Sequence, residues 1–227
     1  MTKIMRKVLI ALCFLGLIAQ AQVTPSVVER NAAASWANEY RQDVFEAVMP
    51  SAAGDSVQMP ECRVTTLRVS GSLDTREYAI RLVELCPQVN ERGGLTEGGV
   101  TGELLVAAES PIADQLARLR LSEPAVTSES AIKRIRIRRV QLTTSEASRV
   151  LGVLSDVTLP PLPSTDIALD APTYELASAT GMMRRVVDVT PAGRSRGERC
   201  LIKLAATVAA TKGFDEKGLR YDASFWN

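Results

Sequence analysis

The sequence predicts an α+β fold, with antiparallel sheet packed against several amphipathic helices. Three observations carry this. Apolar residues recur at three- and four-residue steps over 25–48 and again over 199–211, the period of a helix with one buried face. Short runs rich in β-branched residues, such as CRVTTLRVS from Cys62 and EYAIRLVELC ending at Cys86, are bounded by Gly, Pro and Asn and read as strands. The chain is 227 residues long and 46% hydrophobic, enough to bury a substantial core.

The first residues read as a secretory signal peptide. Lys3, Arg6 and Lys7 form a positive leader, Val8 to Ile18 is an apolar stretch, and Ala19-Gln20-Ala21 supplies a small-residue cleavage site. The stretch falls well short of the ~20 residues a membrane helix needs, so no span is expected after cleavage. Cys13 follows Leu12, which does not fit a lipoprotein site. The expected location is periplasmic or secreted.

Without residues 1–21 the charge balance changes sign. The full chain holds 27 Lys plus Arg against 26 Asp plus Glu; three of the bases and none of the acids lie in the leader, leaving 24 against 26. The charges are unevenly spread, with 9 bases and 16 acids in 22–130 but 15 bases and 10 acids in 131–227. Such asymmetry marks either a binding face or two regions that pack against each other. A mildly acidic mature chain with only 4% aromatic residues argues against nucleic-acid binding.

Thr24 reads as the N-cap of a first helix with Pro25 at its first position; its stripe is Ala33, Trp36, Ala37, Tyr40, Val44 and Val48 and its end Met49-Pro50. Residues 50–60 read as a connector. Strands over 62–70 and 77–86 form a hairpin. Its geometry sets Cys62 opposite Cys86, a candidate disulfide for an oxidising compartment. Cys200 is then left over, read here as a small buried hydrophobe on the last helix. Residues 92–102, RGGLTEGGVTG, lack the Lys-Ser/Thr ending of a phosphate loop and read as a surface loop before a strand at 102–108. Ser110-Pro111 opens a helix with Ile112, Gln115, Leu116 and Leu119 on one side, and 123–129 reads as loop.

AIKRIRIRRV, residues 131–140, alternates Ile135 and Ile137 with Arg134, Arg136 and Arg138, which predicts a strand with one apolar and one arginine-lined face. That face is solvated, paired internally, or the contact surface for an acidic partner. Thr143 and Glu146 have capping-box spacing ahead of the stripe Ala147, Val150, Leu151 and Leu154. LPPLP at 159–163 reads as an extended connector. Strands at 173–178 and 182–189 precede the last helix, which Gly213 ends. By region, 22–130 supplies the first helix and hairpin and 131–213 a strand-helix-hairpin-helix unit. A tail, 214–227, completes 22–227, and the sequence leaves open whether these form one domain.

Leu169-Asp170, Tyr174 and Leu176 fit an L-D-x-x-x-Y-x-L pattern ahead of the second hairpin. Over 132–212 the element order resembles a module of uncharacterised secreted bacterial proteins. The resemblance implies an α+β arrangement with these residues in the core, and no activity.

No histidine occurs anywhere, which excludes Ser-His-Asp and Cys-His catalysis and the common zinc sites. No metal or cofactor is expected. Ser130-x-x-Lys133 matches S-x-x-K without its companion elements. The function read from these residues is an exported, non-enzymatic protein binding an envelope or extracellular protein through Arg134, Arg136 and Arg138 and the tail aromatics Phe225 and Trp226. The alternative is a hydrolase using two carboxylates on a cell-wall or sugar substrate.

Overall fold

Residues 61–70 (β1) and 78–85 (β2) pair as the antiparallel hairpin that their β-branched runs predict, with Leu67 opposite Ile80. A bulge between Glu61 and Arg63 lets Cys62 step out of register, and it bridges to Cys86 just beyond β2 across a Cα–Cα distance of 5.0 Å. Closing a loop of that size removes unfolded-chain entropy equivalent to about 3 kcal/mol.

The computed structural model describes residues 24–54, 61–70, 75–89, 94, 98–156, 172–180, 183–189 (backbone only) and 196–214. The leader, the LPPLP connector, Leu169 and the tail aromatics Phe225 and Trp226 lie outside the described residues. No helix among the described residues is long and apolar enough to cross a membrane.

Val100–Ala107 (β3), Ile137–Leu142 (β4), Thr173–Thr180 (β5) and Met183–Val189 (β6) complete a six-stranded sheet in the order β4-β3-β2-β1-β5-β6, every pairing antiparallel. The two charge-asymmetric regions therefore share one sheet: β4 adds to β3 at one edge, and β5 docks along β1 from the other side.

Helices cover both faces. Val27–Val48 (α1), Ile112–Ser122 (α2) and the short Ser128–Ile132 (α3) lie on the face carrying Ala79, Leu105 and Ala107. Thr144–Asp156 (α4) and Arg196–Thr211 (α5) lie on the other, against Leu67, Ile80, Leu82, Leu104 and Val106. Side chains crowd β3 at Gly102: a Cβ there would stand 2.8 Å from Leu82, 3.0 Å from Leu142 and 3.2 Å from Ala147 of α4, so these neighbours would have to shift.

Local signals set most boundaries. Thr143 and Glu146 form the expected capping box on α4, the Glu146 backbone N–H donating to Thr143 Oγ1 and the Thr143 N–H to Glu146 Oε2. Gly213, at φ +84°, ends α5 in a Schellman arrangement: Phe214 N–H donates to Ala209 O and Gly213 N–H to Ala210 O. That turn folds Phe214 back into the core.

Four expectations are corrected. The α1 cap is Ser26, boxed with Glu29, and not Thr24: only a residue three before Glu29 can exchange both hydrogen bonds. The connector 123–129 is not all loop, because Thr127 and Ser130 form a second capping box that winds 128–132 into α3. The basic run is consequently not one strand. Ala131 and Ile132 are helical, Lys133 and Arg134 turn, and β4 begins only at Ile137. Cys200 is exposed, since the buried stripe of α5 runs through Leu201, Ala205, Val208 and Ala209 and leaves position 200 on the outer side.

Candidate functional site

Ile135 and Ile137 do turn inward, joining the cluster under α1 and α2 as the period-two pattern requires. Their arginine neighbours do not form one free face. Arg134 pairs with Glu123, and Arg136 with Glu109 at 2.9 Å. Arg139, a residue the sequence reading did not single out, reaches Glu103 at 3.5 Å. Each bridge joins a base of the second region to an acid of the first, so part of the charge asymmetry is used in packing the two together. Arg134, Arg136 and Arg139 are exposed, and pairs of this kind contribute at most about 1 kcal/mol each.

The backbone before β4 is held by Gln115. Its amide donates to Ala108 O and Ser110 O and accepts from the Arg136 N–H at 2.9 Å. Glu109 adopts a left-handed φ of 66° in the turn from β3 to α2, beside Arg136. Ser130, of the S-x-x-K match, is occupied in its capping box, and Lys133 terminates the helix.

Arg138 differs from its neighbours. It pairs in register with Val106, pointing to the opposite side of the sheet from Ile137 and Arg139, and its guanidinium lies 5.0 Å from the centroid of the Phe214 ring. Arg76, just before β2, lies 5.9 Å from the same ring. The Arg76 Nε is buried without a hydrogen-bond partner. Burial, and secondarily the charge of Arg138, hold the Arg76 guanidinium below its ordinary pKa.

A second polar centre lies on the other face. Arg68, 3% exposed, extends from β1 under the end of α1. Its Nε donates to Glu175 at 3.0 Å, its Nη1 to Met49 O at 3.1 Å, and its Nη groups also bind Glu46 and Glu175. The Phe45 ring lies 5.2 Å from the guanidinium. Burial pushes this guanidinium toward the neutral form, but the two carboxylates more than reverse that, and its pKa is raised. Ser51 Oγ donates to Glu175 at 2.6 Å. These residues line an open cleft of about 490 Å³ with Pro50, Ala53 and Gly54. Both carboxylates are engaged by one guanidinium, so the cleft lacks the separate acid and base that a glycosidase assigns to two differently placed carboxyls.

Among the described carboxyls the one with a raised pKa is Glu77, and it is sealed in the core. Burial is the cause, opposed by Arg41, whose Nε lies 3.0 Å away. Glu77 also accepts from the Ile112 N–H at 2.8 Å, which makes it the cap that Pro111 cannot provide for α2. Its position inside the protein suits a structural clasp between α1, α2 and β2.

Among the described residues no three His, Cys, Asp or Glu side chains gather to hold a metal ion. No family model matches the chain, and no curated protein matches it.

Proposed function

We propose that this chain is an exported, non-enzymatic binding protein that docks an acidic, extended segment of an envelope or extracellular protein along β4. One observation carries the reading: β4 is an edge strand of the sheet, it holds the exposed Arg138 and Arg139, and Arg136 stands just before it. An edge strand offers unpaired main-chain groups for strand addition, and flanking arginines would select an acidic strand and steer its approach. The same arginines deter a second copy of this basic edge from pairing with it. The leader residues, the Cys62–Cys86 bridge and the absence of histidine support the compartment and the non-catalytic role.

The test is capture of a cross-linked partner by the mature protein. Arg138→Glu with Arg139→Glu is expected to lower capture at least tenfold, while Arg149→Glu on the exposed side of α4 leaves it unchanged. Equal capture by both variants sinks edge docking. Photo-cross-links from Gln141 should map to an acidic stretch of the partner, and cross-links only to neutral or basic stretches count against the charge argument.

A further inference from the structure

We propose that Arg76 and Arg138, with the Phe214 ring as the floor between them, form a binding site for a carboxylate- or phosphate-type oxyanion. Three features of different origin converge there. The Schellman turn after α5 fixes Phe214 in the core with its ring presented to both guanidiniums, at 5.9 and 5.0 Å. Register places Arg138 on β4 in the cross-strand row that runs through Val106 and Tyr78, and Arg76 precedes Tyr78 by two residues on the same side. Finally, neither arginine has an ion-pair partner among the described residues, whereas Arg134, Arg136 and Arg139 on the same edge each have one.

The chemistry of this arrangement is specific. A buried Nε–H without an acceptor is an unfavourable state for a charged group, and two like charges beside one ring repel. The face of the ring offsets part of this through its quadrupole. An oxyanion between the guanidiniums would accept from the forked N–H groups and cancel the repulsion, the task for which a guanidinium is better shaped than an ammonium. The inference deepens the edge-docking reading and rests on it for the natural source, an acidic side chain of the docked segment. The site itself is defined by small-anion binding, which needs no partner.

The experiment follows the arginine Nε–H resonances of the mature protein by NMR. The probes are inorganic phosphate in one arm and N-acetylglutamate amide in the other. Saturable shifts at Arg76 and Arg138, with Arg134 and Arg136 unmoved, are expected in at least one arm, and the arm that saturates at lower concentration identifies the preferred oxyanion. Arg138→Gln, at an exposed position, should weaken binding at least tenfold. Arg138→Lys should recover less than half of the loss in free-energy terms, because it restores charge without the fork. Parallel, non-saturating shifts at all exposed arginines overturn the proposal. It is also overturned if Asp215→Asn with Glu216→Gln, the residues that follow Phe214, moves the Arg76 Nε–H resonance before any anion is added. Partner capture that persists alongside failed anion binding removes this site and leaves edge docking intact; the reverse outcome does the opposite.

Discussion

Arg68 and Arg138 lie on opposite faces of one sheet, with two strands between them, and meet opposite fates. Arg68 is buried on an interior strand and donates to Glu46, Glu175 and a backbone carbonyl. Arg138 is exposed on the edge strand and rests on an aromatic ring. The difference shows how topology decides what a charge is for. An interior strand supplies neighbours on both sides, so its arginine can be fully partnered and becomes structural. An edge strand has neighbours on one side only, and Arg138 there has no ion-pair partner among the described residues.

The largest expected effect breaks the buried centre. Arg68→Met should destabilise the protein by about 3 kcal/mol in denaturant unfolding, because it leaves Glu46 and Glu175 facing each other without their cation. Adding Glu46→Gln and Glu175→Gln to that variant should recover more than half of the loss, and a loss below about 1 kcal/mol for Arg68→Met alone would show that the clasp is dispensable. A smaller effect awaits at the edge. Arg134→Gln with Arg136→Gln should cost less than about 1 kcal/mol in the same assay, since both bridges are solvent-screened.

The smallest effect sharpens the comparison through pH. The Glu146 carboxyl is lowered from its ordinary 4.5 to about 2, chiefly by its hydrogen bond with Lys212, 2.6 Å away, and by the Thr143 N–H. A carboxyl lowered in the folded state stabilises above its unfolded pKa, and that contribution is lost as pH falls from about 4.5 toward 2. Glu146→Gln should therefore unfold more readily than the parent at pH 7 and equally readily near pH 2. Stability curves that run parallel across that range would contradict the assignment.

Much of the architecture was legible from local patterns. The Cys62–Cys86 bridge followed from hairpin spacing, the start of α4 from Thr143 and Glu146, and the end of α5 from Gly213. Each signal spans one turn or one hairpin, and its physics is complete within that span. The basic run misled for the same reason in reverse. Alternation of Ile and Arg is a strand signal, yet the Thr127–Ser130 box a few residues upstream had already committed Ala131 and Ile132 to a helix. Arg68, Glu77 and Arg76 could not be singled out at all. Arg68 meets Glu175 across 107 positions, Glu77 caps a helix 35 positions later, and Arg76 meets Phe214 only once the whole sheet is assembled. For Cys200 the helical period held the answer: it lies beside the buried stripe and not within it.

The central place of β1 also has a consequence for how the chain reaches its fold. Its first partner, β2, follows at once in the order of synthesis, but its second, β5, lies 103 residues further along at Thr173. Until then one margin of an otherwise finished hairpin waits unpaired, the condition in which nascent chains adhere to one another. Arg68 stands near the C-terminal end of that waiting strand, where an apolar residue would leave Glu46 and Glu175 without their cation and offer the growing chain no protection. A positive charge on an unpaired strand discourages association between chains, so exchanging Arg68 for methionine should lower the yield of soluble protein by more than the loss of equilibrium stability accounts for.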